Sequence, residues 1–313
     1  MTLKYGYSRA LNLGKVLTIM DIPEIAFNYQ KAGNIGIEVI ELGDLYRRSE
    51  FLDPELDKPH RLNFYNLIFI NQGAGHHLID FIEYDFEPGS FILVHPDQVH
   101  AYDLNPEISG KVLLFTESFL GQVLNNTRMP AFSPNHLGID YQPIIQPGKN
   151  GLTSCCSIMV ELSVELANPR RDAHILMHLF SSLLLMLRRE QPVGDHIDLA
   201  AGQLEKLNRF LELLNRHYKT IRDANVYADK IHTTYKTLNQ ICKKGTGQTA
   251  KQLIDAYTLL EAKRRLVIDS CTTQQLAWDL GFNDASNFVK YFKKHTKYTP
   301  STFRKQYAAP SLR

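Results

Sequence analysis

Long apolar runs are missing from this 313-residue chain. The nearest approach, Ile175 to Leu187, is interrupted by His178, Ser181 and Ser182. A membrane span needs roughly 18–20 uninterrupted apolar residues, so none is expected. The first ten residues, MTLKYGYSRA, have no apolar signal-peptide core, which points to the cytoplasm rather than to secretion. Cysteine is scarce as well. The four thiols (Cys155, Cys156, Cys242, Cys271) form no CxxC pair, which argues against a disulfide framework and against a cysteine zinc site. No repeat of fixed period and no low-complexity segment stands out. What is present is ordinary globular composition, 44% hydrophobic and 22% charged, in a length that fits two or three domains.

The net charge of +2 hides a division. Residues 1–200 carry 15 basic and 24 acidic side chains, a net −9, and residues 201–313 carry 20 and 9, a net +11. An acidic first part joined to a basic last third suggests two jobs, with a polyanion as one partner. The plain alternative is a solvated basic face on a helical domain.

Local patterns divide the chain in the same way. In the first 150 residues, Asn63–Ile70 reads as a strand, Asn71–Gly75 as a turn, and His76–Ile82 as a second strand. Phe91–Val94 and Lys111–Phe115 are further strands, so a small sandwich or barrel is expected. Helical spacing begins near Thr153. Ser154–Leu166 and Ala173–Arg189 form a hairpin broken at Asn168-Pro169, and the second helix has a broad leucine-rich face that needs cover from the barrel or a second subunit. Gln191–Asp195 reads as a linker. Beyond it, Leu204, Leu207, Leu211, Leu214 and Tyr218 make one amphipathic stripe. Short helices follow at 226–231 and 274–280. Each precedes a longer one, at 235–244 and 285–295, and Ala250–Ile268 connects the two pairs. Thr233-Thr234, Thr272-Thr273 and Asp284 are caps, and Thr299-Pro300 opens a last helix.

Short helix, tight turn and second helix therefore occur twice, in the order of a helix-turn-helix motif. A 19-residue connecting helix at about 1.5 Å per residue spans about 28 Å, against about 34 Å between successive major grooves on one DNA face. One chain is thus able to enter two adjacent grooves. The run Ala277-Trp-Asp-Leu-Gly-Phe282, then Asn283 to Lys294 ending in Phe-Lys-Lys, then Thr299-Pro-Ser-Thr-Phe-Arg304, resembles the C-terminal signature of AraC/XylS-type transcription regulators. The resemblance covers Leu204 to Tyr307, and Arg264-Arg265-Leu266 fits the family's linking helix. It implies a double helix-turn-helix DNA reader, with activation more usual than repression. This chain departs from the pattern at Lys297, where the family usually has glycine, and at Cys242 and Gln240, where phenylalanine and arginine are common.

By position in that pattern, the first recognition helix presents Tyr235, Lys236, Asn239 and Gln240 to the groove, with Leu238 and Ile241 inward. In the second, Ser286, Asn287 and Lys290 share a face opposite Phe288 and Phe292. Asn and Gln pair with adenine and Lys reaches guanine. Lys243, Lys293 and Lys294 are placed on phosphates. The alternative for each lysine is a solvated surface charge. For Asn239 and Asn287 it is capping.

Gly89 to His100, within Phe64 to Tyr102, loosely resembles the second half of a cupin barrel, the effector domain of the same family. A cupin enzyme holds a metal through His-x-His, two imidazoles on one strand face. Here His76 and His77 are adjacent and point to opposite faces, which leaves only Glu83 and His100. No metal or other cofactor is expected. His100 is a candidate ligand contact in the barrel mouth, and His60-Arg61 are candidates for attracting an anionic effector.

The expected architecture is a multi-domain α+β chain: a cupin-like effector-sensing barrel over 1–150, a dimerisation hairpin over 151–190, a linker over 191–202, and a double helix-turn-helix domain over 203–313. The expected function is an effector-controlled, non-catalytic transcription regulator. Its partners are double-stranded DNA across two adjacent major grooves, a small molecule, RNA polymerase and a second copy, with no membrane. Two alternatives stand beside it: a cupin-type metal-dependent enzyme with a helical appendage, and a constitutive DNA-binding protein whose barrel only dimerises.

Overall fold

A computed structural model describes residues 24–25, 35–49, 56–96, 98–127, 142–190, 199–268 and 271–307. Its first half contains ten short strands and two helices: β1 (Glu24–Ile25), β2 (Ile37–Glu41), α1 (Leu42–Ser49), β3 (His60–Leu62), β4 (Tyr65–Gln72), β5 (Gly75–Ile79), β6 (Ile82–Phe86), β7 (Phe91–Val94), β8 (Val99–Ala101), β9 (Ser109–Phe115), α2 (Glu117–Thr127) and β10 (Ile144–Ile145). They form two sheets, β1-β3-β8-β5-β6 (sheet A) and β10-β7-β4-β9-β2 (sheet B).

Sheet B is apolar on both faces, and period-2 alternation sorts its side chains. Ile68 and Ile70 of β4, Ile92 and Val94 of β7, and Val112 of β9 point into the space shared with sheet A. Leu67, Phe69, Phe91, Leu93, Leu113 and Phe115 point the other way, onto helices. Those helices are α2 and the hairpin of α3 (Lys149–Ala167) and α4 (Ala173–Glu190). The expected hairpin is therefore present, but Leu176, Leu183, Leu184 and Leu187 of α4 cover the barrel. Its outward apolar residues are others: Val160, Val164, Ile175 and Leu185.

One strand reads differently from expectation. His76 to Ile82 does not run through; it stops at Ile79, turns at Asp80-Phe81 and returns as β6, with Ile79 paired to Ile82. Both turn residues have positive φ, 48° at Asp80 and 71° at Phe81. Right-handed strand twist favours such turns, but neither residue is the glycine or asparagine that announces one.

The second half is helical: α5 (Ala201–His217), α6 (Ala224–Lys230), α7 (Tyr235–Thr246), α8 (Ala250–Ile268), α9 (Thr273–Asp279), α10 (Ala285–Thr296) and α11 (Pro300–Tyr307). The expected caps are in place. Thr234 accepts from the Thr237 N–H, Thr272 from that of Gln275 and Asp284 from that of Ser286. The stripe of α5 supplies Leu207, Leu214 and Tyr218 to one core with Leu238, Ile241, Leu253, Leu276, Phe288 and Phe292. Of the expected linker, residues 191–198 lie outside the described residues. Two barrel residues, Phe81 and Val99, belong to the helical domain's core, so the domains are packed together.

Candidate DNA-reading surface and the histidine cluster

Two helix pairs, α6–α7 and α9–α10, build the candidate reading surface. In α10, Phe288 and Phe292 are fully buried, which turns Ser286, Asn287, Lys290, Lys293 and Lys294 to solvent. The Tyr291 hydroxyl donates to the Asp255 carbonyl at 2.9 Å and ties α10 to α8. The motif residues of the last helix act on this same frame. Phe303 packs edge-on against Phe292, with ring centroids 5.5 Å apart. Arg304 donates to the carbonyls of Leu266 (2.7 Å) and Cys271 (2.5 Å), which satisfies acceptors at and just beyond the C-terminal turn of α8. The conformation of the turn is equally determined. Gly281 has φ +74°, and a Cβ there would lie 2.4 Å from the Lys219 carbonyl oxygen.

In α7, Leu238, Ile241 and Cys242 are buried, and Tyr235, Lys236, Gln240 and Lys243 are exposed as the family pattern implies. Asn239 is the exception. Its Oδ1 accepts from the Ala250 N–H at 2.9 Å, holding the first turn of α8. Bidentate pairing with adenine uses the same oxygen, so this bond competes with base reading. Asn239 thus takes the alternative role weighed for it, a cap between helices.

The second site lies inside the barrel. In the register of sheet A, His60 of β3 faces His100 of β8, and β8 pairs with β5, which carries His77. All three rings are buried. The His60 and His100 ring centroids are 4.3 Å apart, and His77 Nε2 lies 3.2 Å from His100 Nδ1. Tyr102 closes the group, stacked on His60 at 6.1 Å and accepting from Asn66 Nδ2 at 2.5 Å. Burial holds these imidazoles neutral, pushing His60 down to about 4 and His77 to about 3, and His100 well below its ordinary value. His60 Nε2, His100 Nε2 and Asn66 Oδ1 are buried without a hydrogen-bond partner. Buried polar atoms are normally satisfied, so three orphans in one cluster mark a place that expects a ligand or water.

The expectation named His60, Arg61 and His100. The structure brings the two histidines together but not Arg61, because alternation along β3 turns Arg61 outward. There its guanidinium lies 4.0 Å from Glu261 of α8. His77, Tyr102 and Asn66 join them, and no sequence motif points to these three. The adjacency of His76 and His77 does put them on opposite faces. His76 is exposed and paired with Asp85 at 2.5 Å, while His77 is inside. The same argument that disfavoured a cupin metal motif thus contained the signal for His77. Glu83, the carboxylate weighed with His100, is exposed on β6 and outside the cluster. Among the described residues no group of three His, Cys, Asp or Glu has the arrangement to hold a metal ion.

Comparison with known proteins agrees with this division. A family model described as an AraC-like ligand binding domain matches residues 48–195, and one described as a helix-turn-helix domain matches residues 227–306. The HTH-type transcriptional activator RhaS of Escherichia coli O6:H1 is 22% identical over 259 residues, covering 80% of this chain and 89% of the relative. Among solved structures, ToxT from Vibrio cholerae is 14% identical with a TM-score of 0.42, over 87% of this chain and 98% of that one. An AraC-type regulator from Chromobacterium violaceum is 21% identical with a TM-score of 0.33, over 36% of this chain and all of that one. A ligand-binding barrel followed by two helix-turn-helix motifs, each half matched by its own family model, identifies the chain as a member of the AraC-type transcription regulators, proteins that bind DNA under the control of a small molecule.

Proposed function

We propose that the chain is a cytoplasmic, non-catalytic activator whose effector sits among His60, His77, His100, Tyr102 and Asn66. The observation that carries this is the cluster of orphaned buried polar atoms, His60 Nε2, His100 Nε2 and Asn66 Oδ1, with the His60 and His100 rings at 4.3 Å. Neutral imidazoles, a phenol and an amide favour a ligand with hydroxyl or carbonyl groups over a cation. A thermal-shift screen of metabolites on the full chain tests it. A hit is expected to lose its shift in His60→Ala and His100→Ala, and a shift unaffected by both places the effector elsewhere.

In this reading α7 and α10 enter two adjacent major grooves, and their exposed lysines hold phosphates. Activation follows the printed name of the RhaS relatives and makes RNA polymerase a partner. In this reading the chain divides into a sensor over 1–150, a hairpin over 151–190, a linker over 191–202 and a reader over 203–313. The second copy docks on the outward face of the hairpin, where Val160, Val164, Ile175 and Leu185 are each 47–59% exposed. Sedimentation of the full chain checks this. Val164→Asp is expected to lower self-association, and a monomer at micromolar concentration in the unsubstituted protein removes the dimer.

A further inference from the structure

Sheet A turns one face to the histidine cluster and the other to the DNA-binding domain. On β3, His60 is inside and Arg61 reaches Glu261 of α8. On β8, His100 is inside and Val99 lies in the helical domain's core. Between β5 and β6, the Asp80-Phe81 turn projects into that domain.

Asp80 accepts from Arg264 Nε and Nη2, each at 2.7 Å. It also accepts from Gln98 Nε2 at 2.8 Å and from the Val99 N–H at 3.2 Å. Arg264 is 1% exposed and donates a third bond to Glu261 at 2.6 Å. Burial opposes its charge, but Asp80 and then Glu261 keep the guanidinium firmly protonated. Phe81 packs edge-on against Phe303 and Tyr307 of α11, both at 5.4 Å. Its φ of 71° is one that a bulky residue adopts only where its surroundings enforce it.

A buried ion pair of this kind is stable only while every partner is in place. A small shift of β8 moves Gln98 and Val99, leaves Asp80 short of partners and favours separated, hydrated domains. The closed contact also disfavours DNA. It holds a sheet from the acidic part of the chain against the basic helical domain, which lowers attraction to a polyanion. It further pins α8, the helix that spaces the two reading motifs.

We propose that Asp80 and Phe81 form an autoinhibitory clasp that holds α8 and α11 against sheet A and keeps the reader weakly binding. The clasp is independent of which molecule acts on the barrel. Its link to effector control, through the shared strands β5 and β8, rests on the histidine-cluster reading above. The test therefore uses the full chain without effector. Asp80→Asn removes the charge that holds Arg264. Phe81→Ala removes the apolar half and strands no charge, so it remains informative if Asp80→Asn does not fold by circular dichroism. Small-angle scattering is expected to show a larger radius of gyration in each folded variant. Fluorescence anisotropy on a random-sequence duplex is expected to show binding tightened about fivefold or more, the low end of interdomain coupling. An unchanged radius and affinity in the folded variants overturns the clasp. Weaker DNA binding overturns it too, since the contact would then support the reader. An effector that binds away from the histidines overturns the cluster reading and leaves both measurements on the clasp intact.

Discussion

The two helix-turn-helix motifs have the same helix lengths, 7 and 12 residues, but place their glycines oppositely. In the first, the recognition helix ends on Gly247 (φ 72°), and the turn position just after the short helix's C-cap is His232 (φ 52°). In the second, that turn position is Gly281 (φ 74°), and the recognition helix ends on Lys297 (φ 69°). Each motif thus uses a left-handed residue at both places and glycine at only one. The backbone geometry is shared, and the side chain is tolerated wherever space allows. At Gly281 there is none, because the Lys219 carbonyl stands 2.4 Å from where a Cβ would be.

The sharpest way to break the symmetry is Gly281→Ala. Left-handed strain and the clash with backbone should together cost about 2–4 kcal/mol. Gly247→Ala, which meets the φ penalty, should cost about 1 kcal/mol. Thermal melts of the two variants check the ordering, and equal losses would mean that the Lys219 carbonyl moves aside easily.

In the proposed reading the two motifs also contribute unequally to DNA recognition. Asn287 and Lys290 are free on the outward face of α10, so replacing either with alanine should cost about 1–3 kcal/mol on a duplex recovered by genome-wide mapping. The loss on scrambled duplex should be small. Lys293→Ala should weaken both and lower the salt slope by about one unit. In α7 the asymmetry appears again. Asn239→Ala should act through stability, by about 1 kcal/mol as for a lost cap, and should not discriminate between duplexes. Sequence-specific loss at Asn239 with an unchanged Tm would restore it as a base reader.

The helical domain was more legible than the barrel, for a physical reason. Helix signals are local: Thr234, Thr272 and Asp284 announced their helices, and Ala250–Ile268 is recovered to the residue. Strand partners are distant, so β2, β3 and β8 left no comparable trace in the sequence. The Asp80-Phe81 turn carries no sequence signal because its residues are not turn formers; tertiary contact with Arg264 and α11 holds them there. The cluster was half legible. His100 and His60 were named, but that they meet depends on the pairing of β3 with β8. Where Arg61 points depends on the same register, and at Asn239 a cap and a base reader look alike in sequence.

The smallest expected effect is at Lys297. Its φ of 69° favours glycine, and relief of the left-handed strain is worth about 1 kcal/mol. Against that, the lysine sits at the end of α10, where a cation favours the helix dipole, by about 0.3–1 kcal/mol. Its Nζ is 3.5 Å from the Lys294 carbonyl, a contact too long to add much. Glycine loses this charge term but keeps the Lys293 carbonyl's bond from the backbone N–H of residue 297, at 2.9 Å. The two terms nearly balance, so Lys297→Gly should stabilise the domain by under about 1 kcal/mol, a shift of a few degrees in Tm. The gain should grow with added salt, which screens the lost charge but leaves the backbone strain untouched. A melt of Lys297→Gly across a salt series decides between the terms. Destabilisation at every salt concentration would mean that the lysine side chain holds the end of α10 more strongly than its exposure suggests.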